Sequence, residues 1–315
     1  SSGLDVTFTS SNSLVAEVQP DGRTIKVRAA GTATITANQA GDSAYNAAPA
    51  VTQTLTVGYF NLQANSLPGI RLWLDGNNVD GDDTADTITD GTAIIQWIDQ
   101  SGNNNHAGQA TASNRPTYVV RDNQNRARGM SHVEFTASQS FDISADSNIR
   151  SIVALIHQKY TKSSATKPFG GDQTLTTSSN KWALGAIDSG VSSGLSLKIV
   201  TWQMVPGGYS IHVNGEHKGS STSSLTPAAF DKVGNDLEGS MLEVIAYDRA
   251  LSDGVRQKLE GYLAHKWDTP TSVNSFVSEL VSTHNYKNTK PAFGGTQILT
   301  FQPVSDKQVG VAANL

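Results

Sequence analysis

The densest chemistry in the sequence lies between Asp75 and Asp90, where Asn78, Asp80, Asp82 and Asp86 follow an N-x-D-x-D-x-x-x-D spacing. Alternate residues of a tight loop can turn their oxygens inward, and calcium takes about six to eight oxygen ligands at flexible geometry. Aspartates crowded this closely repel one another unless a counter-ion joins them. The spacing therefore points to calcium held by Asn78, Asp80, Asp82 and Asp86, with Asp75 as a further ligand or a cap of the turn. The rival reading is a solvated turn, since Asp, Asn and Gly favour turns without any metal.

A second polar cluster is the phrase DQSGNNNH, Asp99 to His106. Asp99, Asn103 and Asn104 have the side chains to hydrogen-bond a sugar or hold a second ion, but tight turns with left-handed backbone ask for the same residue types, and the turn is preferred. His212 and His217 flank Asn214-Gly215, a two-residue turn that makes the histidines cross-strand neighbours on one face. Two imidazoles so placed suit a transition metal. With no third ligand to name, an exposed hairpin pair is the expectation. Among the tryptophans, Trp73 and Trp97 sit between apolar neighbours and Trp267 closes a helical stretch, which leaves Trp182 and Trp202 as candidate exposed platforms for sugar stacking.

Catalysis finds little support. Glycoside hydrolysis needs two carboxylates facing one bond, and Glu243 and Asp248, five apart, point to opposite faces of a regular strand. G-x-S-x-G, H-E-x-x-H and a phosphate-binding glycine loop are missing. A chain without cysteine has no thiol nucleophile, disulfide or thiolate zinc site. The net charge of -5, with no basic stripe, argues against nucleic acid. Apolar runs such as Ile152 to Ile156 are strand-sized, short of the roughly 20 residues that span a bilayer. The opening Ser1-Ser2-Gly3 carries no basic or apolar leader, so the expectation is a processed chain or an internal stretch of a longer one.

The elements that must position these residues are mostly strands. Thr, Ser, Val, Gly and Asn dominate, in short alternating runs divided by turn residues, which is an all-β pattern. Strands are expected at Val6 to Thr9, Leu14 to Val18, Thr24 to Val27, Thr32 to Ala37 and Val51 to Val57, with Ala33, Ile35 and Ala37 sharing one face. After Ser252, the residues Val255, Leu259, Tyr262 and Leu263 recur at helical spacing until Thr269-Pro270. A shorter helix is expected at Asn274 to Ser282.

Two family resemblances follow from ordered sets of phrases. VTFTSSNSLVAEV, GRTIKVRAAGTATITANQAGDSAYNAAP and VTQTLTV, within Ser1 to Val57, resemble a bacterial immunoglobulin-like repeat of large surface proteins. IRLWLDG, QWIDQSGNNNHA, RPTYV, HVEFTASQSFDI, YSIHVNGE and GSMLEVIAYDRALSDGVRQKLEGYLAHKWD resemble a laminin-G-like or concanavalin-A-like jelly roll. That second resemblance implies two curved antiparallel sheets and a short C-terminal helix. The acidic loop is similar to the D-x-D-x-D-G-x-x-D calcium loops of thrombospondin-type repeats, departing at Asn78 and at Asp83, which stands where they have glycine.

The expected layout is an immunoglobulin-like domain at 1–57 lacking its first strand, a linker at 58–67, a jelly roll at 68–269, a second linker at 270–295 and a separate strand at 296–315. Such repeats usually open on a strand missing here at the N-terminus but resembled by ILTFQPVSDKQVGVAANL at the far end, with Ile298, Leu299, Phe301, Val304, Val309, Val311 and Leu315 as its apolar residues. Three explanations stay open: a cut through a tandem array, donation of the strand head-to-tail to another copy, or closure within one chain. The resemblances imply a non-enzymatic module of an extracellular bacterial surface adhesin or fibre, partnered by its own copies or neighbouring repeats. The alternative is a calcium-dependent carbohydrate-binding, lectin-like module.

Overall fold

The computed structural model describes residues 4–13, 16–27, 31–57, 68–82, 88–120, 130–159, 167–170, 177–178, 181–193, 196–223, 229–268 and 275–291. The chain is all-β with a short C-terminal helix, as its composition requires, and divides into two units. Among the described residues, no helix is long and apolar enough to cross a membrane. The expected strand at 296–315, with all seven of its apolar residues, lies outside the described residues.

The smaller unit, described over 4–57, holds β1 (Thr7–Ser10), β2 (Ala16–Val18), β3 (Ile25–Val27), β4 (Gly31–Gln39) and β5 (Ala48–Val57). They form two antiparallel sheets, β1-β4-β5 and β2-β3. Alternation along β4 turns Ala33 and Ile35 inward against Ala16, Phe8, Ile25 and Leu55. Among the described residues the fully buried part of this core is Ala16, Ala33 and Ile35. Ala37, expected on the same face, is only half-buried.

The larger unit, described over 68–291, begins with β6 (Ile70–Asp75), β7 (Gln96–Trp97), β8 (Ala107–Gly108), β9 (Thr117–Val119), β10 (His132–Phe135), β11 (Phe141–Asp146) and β12 (Ser151–Gln158). It continues with β13 (Thr177–Ser178), β14 (Lys181–Leu184), β15 (Ile187–Ser192), β16 (Lys198–Val205), β17 (Gly208–Val213), β18 (Glu216–Ser221), β19 (Phe230–Val233) and β20 (Gly239–Tyr247). Eight strands make the main sheet in the order β18-β17-β16-β12-β20-β10-β9, with β6 also on β20. Residues 239–241 of β20 pair with β10 and residues 243–247 with β6, so two strands share one edge. A four-stranded sheet, β19-β11-β8-β7, supplies Phe230, Phe141, Ala107 and Trp97 to the core between the layers.

β12 is buried along its whole length, and so is β20. One face of the main sheet, with Leu72, Leu74, Ile152, Ala154, Val200, Trp202, Val244 and Ala246, looks into the sandwich. The opposite face needs its own cover. α1 (Asp253–Lys266) supplies it with Leu259, Tyr262 and Leu263, all buried, while Val255, the remaining residue of the expected stripe, is half-buried. The helix also lays down charged groups. Glu243 on β20 and Asp75 on β6 are register partners, and Lys266 Nζ donates to Glu243 Oε2 at 2.7 Å and pairs with Asp75. Glu243 accepts further from Trp73 Nε1 at 2.8 Å, Tyr262 Oη at 2.9 Å and Trp267 Nε1 at 2.7 Å. Burial opposes charge on Lys266, but Asp75 and Glu243 outweigh it and push its pKa above the ordinary range.

Residues 275–291 are packed against this unit rather than forming a linker. α2 (Phe276–Glu279) is shorter than the Asn274 to Ser282 helix expected. Phe276 and Leu280 are buried, Glu279 accepts from Lys198 Nζ at 2.9 Å, and Val281 N donates to Asn214 O at 3.1 Å. Apolar side chains and paired charges in the segment had a surface to bury against, which a solvated linker does not.

Replacing Lys266 by Met leaves Glu243 and Asp75 buried together without their cation. A loss of about 3–5 kcal/mol is expected in urea unfolding; a loss under about 1 kcal/mol would show that the cluster does not carry the helix docking.

Candidate functional site

The structure separates the residues that the sequence placed in one acidic site. Asp75 ends β6 facing α1, where it is buried, pairs with Lys266 and accepts from Asn77 N at 2.9 Å through Oδ1. Its carboxylate is committed to the helix. Asn78 is also buried; its Nδ2 donates to Gln100 Oε1 at 3.3 Å, while its Oδ1 finds no hydrogen-bond partner. Asp80 and Asp82 are exposed, and Asp82 N donates to Asp80 Oδ1 at 3.3 Å. Asp86 lies outside the described residues. Among the described residues no three His, Asp or Glu side chains cluster as a metal site.

Asp99 organises its own loop. Oδ1 accepts from Trp73 N and Ser101 N, both at 2.9 Å, and Oδ2 from Ser101 Oγ at 2.8 Å and Asn105 N at 3.0 Å. Asn103 Nδ2 donates to Ile70 O at 2.9 Å, and Asn104 adopts φ 55°, the left-handed turn backbone that these residue types favour. Asp99 is thereby a buried turn former. Asn103 and Asn104, by contrast, border a polar cleft of about 300 Å3 with Arg71, Asn105 and residues 144–148. Arg71 and Asp146 were not anticipated: they stand 75 positions apart on strands of two different sheets, and only the packing of those sheets brings Arg71 Nε to Asp146 Oδ2 at 2.8 Å.

The tryptophans give a correction. Trp182 is 0% and Trp202 2% exposed, edge-to-face with centroids 6.0 Å apart. Trp202 Nε1 donates to Ala183 O at 3.1 Å inside the core. Neither offers a face to a sugar, because β14 and β16 turn these rings into the sandwich.

The histidine hairpin forms as expected, with His212 opposite His217, ring centroids 5.0 Å apart, and Asn214 and Gly215 at φ 51° and 80°. The left-handed turn requires such residues, and a Cβ on Gly215 would strike His284. The pair is not fully exposed, however: His212 is buried beneath α1. Next to it Glu260 accepts from Thr201 Oγ1 at 2.7 Å, from Arg256 Nη1 at 2.7 Å and contacts His284 Nε2 at 3.3 Å. Burial, then the Arg256 guanidinium, depresses the His212 pKa to about 4.

In the smaller unit an apolar groove of about 380 Å3 is lined by Val6, Phe8, Ile35, Ala37, Pro49 and Val51, among others. Val6 and Val51 remain 41% and 45% exposed. Beside it β5, ten residues long, pairs with β4 alone, so among the described residues its outer edge is open. Pro49 fits an edge strand, having no N–H to leave unpaired.

Neither a protein-family model nor a curated protein matches the chain. Solved structures do. Domain 4 of AbnA, a GH43 extracellular arabinanase from Geobacillus stearothermophilus, in complex with arabinotriose, is 13% identical over 53% of this chain and 97% of its own, with a TM-score of 0.37. A mutant of Trypanosoma rangeli sialidase displaying trans-sialidase activity is 12% identical over 81% of this chain and 44% of its own, with a TM-score of 0.40. The CBM40 of Ruminococcus gnavus IT-sialidase, bound to alpha2,3 sialyllactose, is 14% identical over 34% of this chain and 79% of its own, with a TM-score of 0.26. Likenesses at this level carry no argument about ligand or activity.

The buried histidine sets a pH dependence. An unfolded His212 takes up its proton as pH falls through about 6.5, whereas the folded one resists protonation down to about 4. Stability is therefore lost as pH drops across that window, by up to about 3 kcal/mol from this group. Urea unfolding at pH 7 and pH 4.5 is expected to show a smaller difference for His212→Gln than for the parent; equal differences would assign the loss elsewhere.

Proposed function

We propose that this chain is a non-enzymatic structural module of an extracellular bacterial surface adhesin or fibre, assembling head-to-tail when Ile298–Leu315 of one copy adds to β5 of the next. The observation that carries this is the outer edge of β5, unpaired among the described residues and running beside the apolar groove. Extended segments recognise such edges through backbone hydrogen bonds and fill adjoining pockets with alternate side chains. An unprotected long edge is otherwise a liability in a soluble domain. Ile298, Leu299, Phe301, Val304, Val309, Val311 and Leu315 provide apolar side chains for that face, and among the described residues the core of the small unit has three fully buried apolar side chains, a small core that an added strand would enlarge.

On the order of five to ten backbone hydrogen bonds at about 1 kcal/mol net each, before ordering costs, would hold the joint. Donor and acceptor surfaces differ, so the contact is heterologous and propagates instead of closing. Calcium bracing of the Asn78–Asp82 loop belongs to the same reading. Its support is the buried, unpartnered Asn78 Oδ1 at the start of an acidic turn, an oxygen of the hard type that calcium prefers.

Deleting residues 298–315 is expected to abolish concentration-dependent assembly in light scattering, and a synthetic 298–315 peptide should bind the truncated chain. Unchanged size after deletion overturns the proposal, and so does a lower melting temperature without any change in size, the signature of closure within one chain. For the loop, calcium is expected to raise the melting temperature of the parent but not of Asp80→Ala; a parent indifferent to calcium and chelator removes the ion from the reading.

A further inference from the structure

Lys266 holds a primary amine against two carboxylates in an enclosed site. The side chains of Lys266, Asp75 and Glu243 are 2%, 4% and 0% exposed. Trp73, Tyr262 and Trp267, all buried, surround them, and Lys266 Nζ lies 5.3 Å from the ring centroids of both Tyr262 and Trp267. Nζ contacts Asp75 Oδ2, one bond from Cγ, and donates to Glu243 Oε2 at 2.7 Å. Both partners are fixed in place. Asp75 ends β6, where its backbone O accepts from Trp97 Nε1 at 2.9 Å and the N of Gly76 donates to Leu242 O at 2.7 Å. Lys266 ends α1, whose buried stripe packs on the same sheet.

An amine and a carboxylate in contact are the two halves of an amide. In water their ionised forms are hydrated and kept apart. Enclosure removes both obstacles: burying an ammonium with two carboxylates is costly, and an amide carries no charge. Groups held in near-attack geometry also react as though at effective concentrations of about 10^5–10^8 M. Asp75 Oδ1 accepts from Asn77 N at 2.9 Å, a backbone donor aimed at the oxygen on which charge develops during attack at Cγ. Burial pushes the Glu243 carboxyl above its ordinary range, against the pull of Lys266, so Glu243 is suited to hold a proton in transit.

We propose that Lys266 and Asp75 condense to an isopeptide bond, Nζ to Cγ, with Glu243 as the catalytic base and acid. A proton passes from Nζ to Asp75 Oδ2 and leaves a neutral amine beside a carboxylic acid. Nζ then attacks Cγ, Glu243 takes a second proton from the nitrogen, and Oδ1 carries the transient charge opposite Asn77 N. Glu243 returns its proton to Oδ2 as the Cγ–Oδ2 bond breaks, and one water leaves. Ammonium and carboxylate thus become amide and water, with Glu243 regenerated and no oxidant or cofactor consumed. The bond joins the first strand of the larger unit to its helix across 191 positions of sequence. A pulling force applied to β6 and α1 is then borne by the bond and not by the strands between them. None of the strand-donor surface takes part, so the bond forms whether or not copies assemble.

Intact-mass spectrometry of the full chain under denaturing conditions tests the bond. The parent is expected to be one water lighter than its sequence, and a protease digest should contain the Asp75 and Lys266 peptides joined. Asp75→Ala and Lys266→Arg should each restore the full sequence mass. Glu243→Gln keeps the size and hydrogen-bonding capacity of the side chain but cannot shuttle a proton. It should also show the full mass, while circular dichroism still reports a folded sheet. A folded parent at full sequence mass overturns the proposal, whatever the variants do. So does a water loss that the digest places at another site or that persists in Asp75→Ala, and an undiminished loss in Glu243→Gln overturns the role of Glu243.

Discussion

Lys266 sits in a position that long, solvated side chains rarely occupy: almost fully enclosed, between the carboxylates of two neighbouring strands and beneath its own helix. The arrangement follows from a constraint on the main sheet. Its central strands are apolar on both faces, and the second sheet covers only one of them. α1 has to cover the other, and the charged groups decide where it lands. Removing two carboxylates and an ammonium from water is costly, and their mutual attraction offsets that cost only at close, well-directed geometry. Glu243, with donors from Trp73, Tyr262, Lys266 and Trp267, permits one docking of the helix and penalises shifted ones. Glu260 fixes the preceding turns by accepting from Thr201 on β16 and from Arg256. A purely apolar contact would leave the helix freer to slide.

The groove of the smaller unit and the cleft of the larger one are chemically opposite. The groove of the smaller unit is apolar and borders a strand edge that is unpaired among the described residues. The cleft of the larger unit is polar and braced by side chain to backbone bonds. Each lies at the end of an element: among the described residues the three-stranded sheet of the small unit ends at β5, and the cleft lies beside the turn after β11.

Local pattern carried most of the secondary structure. The N-terminal strands, the Asn214-Gly215 hairpin and the Leu259, Tyr262, Leu263 stripe were legible because alternation, turn chemistry and helical spacing act over a few residues. The sites were less legible. Trp182 and Trp202 have the composition of a sugar platform yet are core, since a ring's exposure depends on which way its strand faces. Asp75 has the spacing of a calcium ligand yet belongs to a lysine 191 positions away. Asp99 forms the turn that its residue type favours, with Ser101 and Asn105 close in sequence, while Trp73, 26 positions away, is brought to it by the fold.

By itself, then, the sequence determined the class of fold, the position of its turns and helix, and the chemistries that its composition excludes, because these depend on residue type and short spacing. Tertiary structure alone decided which charges would be buried together, which tryptophans would be enclosed and which polar groups would remain free. Those outcomes rest on contacts such as Arg71 with Asp146 and Lys266 with Asp75, between residues that are brought together only when distant strands and a helix pack.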